Sequence, residues 1–326
     1  MSTIVEIFEA LVFSALLLGG LAVFLAARYQ GDLRKARERV RSGSQVLHTP
    51  CGEIEYAESG DGQPVLVIHG AGGGFDQGLD IAAPLMGQGF RLIAVSRFGY
   101  LRSPLPDDAS AEAQADACAC LLDALKVERA VVVGASAGGP SAMQFALRHP
   151  ARTQALVLLA PAAYAPGQGR APALRLSSGR RRLLERAMGS DFLFWLLVRY
   201  APRFSMRAIL ATPPESVRRA EPEERAAIYA MLNHVLPVSA RRAGLLNDAA
   251  VVFSLPRYEL ERIGVPTLIL AVEDDLYGIY AGARYCAEHI PEAHFVSYAS
   301  GGHLAAGHRR EMAAAITAFL AELPRA

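Results

Sequence analysis

The sequence predicts an α/β fold, a doubly wound and mostly parallel sheet with an inserted helical lid, preceded by one membrane-spanning helix. Three observations predict it. Apolar runs of strand length alternate with helical patterns from Val65 to Pro161, the rhythm of a parallel sheet covered on both faces. From about Tyr164 to Arg262 that rhythm stops, and helical segments separated by Pro and Gly take over. Strand-like runs then return at Val265–Val272 and His294–Tyr298, so the sheet continues after the insertion.

The N-terminal segment comes first in the chain. Ile4 to Ala27 is its most apolar part, and Ala10 to Ala27 carries no charge. A bilayer core asks for about 20 such residues. A cleavable signal would open on a positive stretch, whereas Met1 to Glu9 holds no Lys or Arg. A segment apolar all round is either a buried core helix or a membrane span, and this one precedes the domain. Residues 1–27 are therefore expected to anchor the chain in a membrane. Arg28, Arg34, Lys35, Arg37, Arg39 and Arg41 follow at once, and no basic residue precedes the span. The positive-inside rule then puts the globular domain in the cytoplasm, with the basic run on anionic headgroups. Residues 28–49 are expected to form a juxtamembrane linker, broken at Ser42–Ser44.

The globular part is expected to divide into a core, residues 50–163 and 263–326, and a lid, residues 164–262. Gly52–Ser59 alternates weakly and predicts an early hairpin strand turned by Gly60-Asp61-Gly62. Val65–Ile68 is a buried strand ending in the loop His69-Gly70-Ala71-Gly72-Gly73-Gly74. A phosphate-cradling loop would need a following Lys or an acidic residue about 20 positions on. Neither is present, so the loop suits a backbone N–H donor role, with Ala71 as donor and Gly72 as alternative. Arg91–Val95 is the next strand, Ser96–Pro106 a loop, and Ala109–Leu125 a helix capped by Ser110.

Val131-Val132-Val133 then runs into Gly134-Ala135-Ser136-Ala137-Gly138, and a helix follows to about His149. Glycine on both sides of a serine permits a sharp strand-to-helix turn that lifts the hydroxyl clear of the sheet. Ala155–Leu159 is a further strand. In the lid, helices are expected at Arg180–Met188, Phe192–Tyr200, Ser205–Leu210, Glu223–Leu236 and Ala240–Asn247, their apolar undersides shaping a cavity. After the returning strand come Glu273-Asp274-Asp275, a helix over Tyr280–His289, the strand His294–Tyr298, Gly301-Gly302-His303 and a last helix over Leu304–Leu323.

Each polar candidate thus sits at the carboxyl end of a strand, where ligands bind in open α/β sheets. A serine hydroxyl becomes a nucleophile when a base takes its proton, and imidazole does so near neutral pH. A carboxylate fixes the imidazole tautomer, and backbone donors hold the oxyanion. Ser136 is the expected nucleophile and His303, in its glycine turn, the base, in preference to His308 on the last helix. Asp275 is the expected acid, being further into its loop than Asp274, with Glu273 and Asp248 as remoter alternatives.

These residues resemble the α/β-hydrolase superfamily over about residues 50 to 323. The resemblance rests on His69-Gly70 with its glycine loop, the elbow Gly134–Gly138, the acid after the penultimate strand and Gly302-His303. It implies Ser136 as nucleophile, Asp275 as acid, His303 as base, and the N–H groups of Ala71 and Ala137 as the oxyanion hole. Ser96-Arg97-Phe98-Gly99-Tyr100-Leu101-Arg102-Ser103 stands where the superfamily has D-x-x-G-x-G-x-S, with Ser96 in the place of Asp. Haloalkane dehalogenases and epoxide hydrolases share the layout but use Asp as nucleophile, against Ser136 here.

The expected activity is cleavage of an ester or similar acyl bond through an acyl-enzyme, on a small and lipophilic substrate, with no cofactor and no metal. Alternatives are a C–C bond hydrolase or acyltransferase on the same triad, or a non-catalytic ligand-binding module at the membrane. The net charge of +1 gives no electrostatic case for nucleic-acid binding. Cys51, Cys118, Cys120 and Cys286 show no metal-binding spacing and are expected as free thiols in a reducing compartment.

Overall fold

The computed structural model describes residues 2–167, 189–252 and 255–323. Eight strands form one sheet in the order β1-β2-β4-β3-β5-β6-β7-β8. They are β1 (Gln45–Thr49), β2 (Gly52–Ser59), β3 (Gln63–Ile68), β4 (Phe90–Val95), β5 (Ala130–Ala135), β6 (Thr153–Leu159), β7 (Thr267–Val272) and β8 (His294–Tyr298). β1 and β2 are antiparallel to their neighbours, and every pair from β4 to β8 is parallel. The β2 hairpin differs from the expectation. β2 turns back on β1 through residues 49–52, and β4 lies between β2 and β3, so Gly60–Gly62 carries a crossing and no hairpin.

Alternate strand residues serve the two faces, as the pleat requires. Val65, Val67, Val131 and Val133 pack with Phe75 and Leu85 of α2 (Phe75–Met86) and Ile316 of α11 (Arg309–Ala321). Leu66, Ile68, Val132 and Leu156 pack on the other side. Their partners there lie on α3 (Ala111–Ala124), α4 (Gly139–Arg148) and α10 (Tyr280–His289). Ser110 caps α3 as expected, its hydroxyl accepting from the Ala113 N–H. The last helix starts later than expected, at Arg309, because Gly301, Gly302 and Gly307 all adopt positive φ and hold residues 301–307 in turns.

The lid comprises α5 (Asp191–Tyr200), α6 (Pro202–Ile209), α7 (Pro214–Arg219), α8 (Pro222–His234) and α9 (Arg242–Val252). Proline stands at the first position of α6, α7 and α8, where the missing N–H costs nothing. The helix expected over Arg180–Met188 lies outside the described residues.

Two expectations are corrected. The stretch read as a linker is a continuation of α1 (Ser2–Ser42), and Gln45–Thr49 is already in the sheet. Tyr29, Leu33, Ala36 and Val40 fall at spacings of four, three and four, one helical face that the surrounding charges mask. Leu33, Ala36 and Val40 are buried by it. The second concerns the cysteines. Cys51, in the β1–β2 turn, and Cys120, on α3, form a disulfide with Cα atoms 6.1 Å apart. Cys118 points from α3 the other way, and it and Cys286 remain free and buried. The 69-residue separation, with neither cysteine in a recognisable spacing, hides the pair from sequence reading.

Candidate active site

β5 delivers Ser136 in the left-handed region, at φ 49°. Its two flanking glycines are there because backbone passes too close for a side chain. A Cβ on Gly138 would stand 2.3 Å from the Ile68 carbonyl oxygen, and one on Gly134 2.4 Å from the Ala142 Cβ. The Ser136 carbonyl is held by the Ala162 N–H at 2.9 Å. Strain at this residue is thus fixed from several directions, as positions of this kind need.

His303 and Asp275 come together. His303 Nδ1 lies 2.7 Å from Asp275 Oδ2, with the carboxylate side chain 1% exposed and the imidazole 10%. The other Asp275 oxygen accepts the Tyr277 N–H at 2.8 Å. Of the competing acids, Asp274 accepts the Gly302 N–H at 2.6 Å and so braces the turn that carries His303. Glu273 is exposed. Asp248 is engaged elsewhere, below. His308 immediately precedes α11 and pairs with Glu311. The lid closes on the same turn, since the Ala211 carbonyl accepts the His303 N–H at 3.2 Å.

Ser136, His303, Gly70 and Ala71 line one cavity of about 1120 Å³, its solvent-open mouth included. A Cβ on Gly70 would lie 3.1 Å from the Ser136 Cβ, so the glycine loop passes directly beside this serine. The walls are mostly aliphatic, among them Ile81, Leu85, Ile209, Leu210, Ile228 and Met231. Charged side chains at the wall have partners: Asp80 with His234 at 2.5 Å, Glu224 with the Gly307 N–H at 2.9 Å, and Arg309 with Glu223 at 3.6 Å. Among the described residues, no group of three His, Cys, Asp or Glu could hold a metal ion.

The glycine loop is gripped by a buried network that the sequence reading did not find. Arg97 forms two 2.6 Å bonds to Asp248 of α9, and Tyr100 donates to the same carboxylate at 2.5 Å. Arg97 also reaches the carbonyls of His69 and Gly70 at 2.9 and 3.2 Å. The Gly72 N–H donates to the Tyr100 hydroxyl at 3.1 Å, so it is spent. Of the two loop donors considered, Ala71 is the one left facing the cavity. Ala137, the other expected donor, is buried directly after Ser136 in the elbow. His69 lies behind the loop, its Nδ1 2.6 Å from the Gly70 carbonyl and its Nε2 3.0 Å from the Arg97 N–H. Burial, then the Arg97 charge, pushes its pKa well below the ordinary histidine value. Ser96, in the place of the usual Asp, accepts the Phe75 N–H at 3.0 Å and so caps α2. A charged Arg97 directly after an apolar strand was the signal for this network, since a buried guanidinium needs a partner.

Sequence and structure comparisons agree with this architecture. The family model described as the alpha/beta hydrolase fold matches residues 63–184. A 2-hydroxy-6-oxo-6-phenylhexa-2,4-dienoate hydrolase of Comamonas testosteroni is 34% identical over 113 residues, 33% of this chain and 40% of the relative. The chain thus spans about two fifths of the length of that curated relative. An alpha/beta hydrolase fold protein from Nakamurella multipartita superposes with a TM-score of 0.65 at 29% identity, covering 83% of this chain and 98% of the other. A thermophilic esterase from Thermogutta terrifontis does so with a TM-score of 0.60 at 25% identity, covering 86% and 98%. Sheet order, elbow and lid define an α/β-hydrolase fold, the fold of the matching family model and of the superposed structures.

Proposed function

We propose that the protein is a membrane-anchored serine hydrolase that cleaves an ester or similar acyl bond. One observation carries the reading: the strained Ser136 opens on a cavity shared with His303, whose far nitrogen rests on the buried Asp275. Ser136 Oγ attacks the acyl carbonyl while His303 Nε2 takes its proton. Asp275 holds the Nδ1 proton and stabilises the imidazolium. The N–H groups of Ala71 and Ala137 receive the oxyanion. His303 then protonates the leaving group, and a water activated by the same imidazole releases the acid from Ser136. The aliphatic walls favour an apolar acyl group.

The similarity to a C–C bond-cleaving relative supports a second reading on the same triad. The relative's named substrate is a dienoate, and its carboxylate needs a cation. In this cavity Arg309 lies 3.6 Å from Glu223, which favours the uncharged acyl substrate.

The anchor is the apolar first part of α1, the one helix among the described residues long and apolar enough to cross a membrane. Its basic flank supports the cytoplasmic side for the domain. The Cys51–Cys120 disulfide weighs against that side, because such pairs persist in oxidising compartments.

The deciding experiment labels the full chain in detergent with a fluorophosphonate probe, beside Ser136→Ala. Covalent label on the wild type alone is expected, together with a fall in kcat of about 10⁴-fold or more in the variant. A folded wild type that takes no label sinks the reading.

A further inference from the structure

The lid helix α5 is packed against the anchor helix at the very end of its apolar run. Leu25 and Tyr29 pack on the cluster of Ala36, Trp195 and Leu236. The Tyr29 ring meets Phe192 edge-on at 5.2 Å and Trp195 at 5.6 Å. The Trp195 indole N–H donates to Asp32 at 2.9 Å. Leu25 lies two residues before the end of the uncharged stretch at Ala27, about 3 Å along a helix axis. When residues up to Ala27 occupy a bilayer, α5 stands at its surface and has no room to stand off.

The outer side of α5 and α6 has the composition that this position asks for. Phe192 and Arg199, and beside them Leu193 and Tyr200, stand seven residues or two turns apart and so share one sector of α5. Phe192 is 40% exposed, Leu193 47%, Tyr200 55% and, on α6, Phe204 61%. Arg199, Arg203 and Arg207 are exposed beside them. Aromatic side chains interleaved with arginine suit the headgroup layer, where apolar rings meet lipid and guanidinium meets phosphate. The inner side of the same helices faces the other way. Val198, Met206 and Leu210 pack with Ile228 and Leu232, and Ile209 and Leu210 line the cavity of Ser136.

We infer that the outer face of α5 and α6 is a membrane-docking surface, which seats the lid in the headgroup layer so that acyl substrates dissolved in the bilayer enter the Ser136 cavity from the lipid. This rests on the anchored serine hydrolase reading and names its substrate class, compounds that partition into lipid.

The test uses the full chain in vesicles of phosphatidylcholine and phosphatidylglycerol. Trp195 is the single tryptophan. Combining Trp195→Phe with Phe204→Trp therefore puts the sole indole on the outer face of α6, away from α1. Strong quenching by brominated acyl chains and weak quenching by aqueous acrylamide are expected. Quenching by acrylamide alone overturns the inference. Protection from both quenchers marks a second protein on this face and overturns it as well. A companion variant, Leu193→Ser with Phe204→Ser, keeps Trp195, its bond to Asp32 and the Phe192 contact with Tyr29. Its hydrolysis of a long-chain ester held in the vesicles is expected to fall several-fold through KM, with kcat/KM on a short soluble ester unchanged. Equal loss on both esters, or on neither, speaks against docking. Release of the wild type by alkaline carbonate instead removes the anchor reading, and failure to label with fluorophosphonate removes the hydrolase reading. Retention with an acrylamide-quenched indole removes the docking surface alone.

Discussion

His69 shows what the active-site loop demands of a single residue. Both ring nitrogens are committed, Nδ1–H to the Gly70 carbonyl and Nε2 to the Arg97 N–H, so only the neutral ring fits. Its pKa is depressed by burial and by Arg97, whereas the unfolded chain binds that proton near pH 6.5. Below that pH the unfolded state holds more protons than the folded one. Stability therefore falls as pH drops through about 6.5, by up to about 1.4 kcal/mol per pH unit. Thermal melts between about pH 8 and 5 should show this decline, with a shallower slope in His69→Gln. An equal slope in the variant assigns the loss to other groups. A second prediction separates the adjacent acids. Asp275→Asn should lower kcat by about 10⁴-fold with little change in folding, because the imidazole loses its orienting charge. Asp274→Asn keeps an oxygen for the Gly302 N–H and should retain most activity. The reverse pattern in steady-state kinetics would falsify the assignment of the acid. Ser136, His303 and the acid loop were legible because each follows a strand in the order the chemistry needs. The Arg97–Asp248 pair was not, since its members stand 151 residues apart and the sequence leaves Asp248 only a remote acid.

At the scale of elements, a second buried ion pair ties α2 to the lid and to α1. Arg241 is fully buried and meets Asp76 of α2 at 3.0 and 2.6 Å, and Arg39 of α1 reaches the same carboxylate at 3.3 Å. Arg241 also donates to the Gly73 carbonyl and, at 2.7 Å, to that of His234, while Arg39 reaches the Leu236 carbonyl at 2.6 Å. Burial alone would raise the Asp76 pKa, and the charge and hydrogen bonds of Arg241, together with Arg39 and the Gln77 N–H, hold the carboxyl below its usual value. A depressed carboxylate contributes stability above the unfolded value, near 3.8, that is lost as pH falls through the folded one. Asp76→Asn leaves Arg241 buried without its counter-charge and should cost about 3–5 kcal/mol by urea denaturation. Asp76→Leu with Arg241→Met should recover much of that loss, since neither charge then stays buried alone. A cost below about 1 kcal/mol for Asp76→Asn would show the pair to be solvated. The strands and the α2–α4 rhythm were readable because parallel strands covered on both faces are apolar throughout. The docking of α1 was not, because Arg and Lys around Tyr29, Leu33, Ala36 and Val40 give the stretch the composition of a solvated flank.

For the whole molecule, the side of the membrane and the state of one cysteine pair are a single question. If the apolar part of α1 spans a membrane as proposed, its basic flank argues for a domain in the cytoplasm, where thiols are kept reduced. Closing the 69-residue separation between Cys51 and Cys120 would constrain the unfolded chain by about 4 kcal/mol. Cys51 is exposed, so a reductant can reach the bond. A cytoplasmic domain should therefore carry both thiols free in the cell, modified by a maleimide added at lysis, and close the bridge only after purification in air. Its melting temperature should then rise on oxidation, with no such rise in Cys51→Ser. A C-terminal fluorescent-protein fusion should glow, and an alkaline phosphatase fusion should stay inactive. The opposite set, an active phosphatase with Cys51 and Cys120 already bridged at lysis, puts the domain in an oxidising compartment. The charge argument then fails, while the proposed docking of the lid, which rests on the packing of α5 against α1, carries over to the other side of the bilayer.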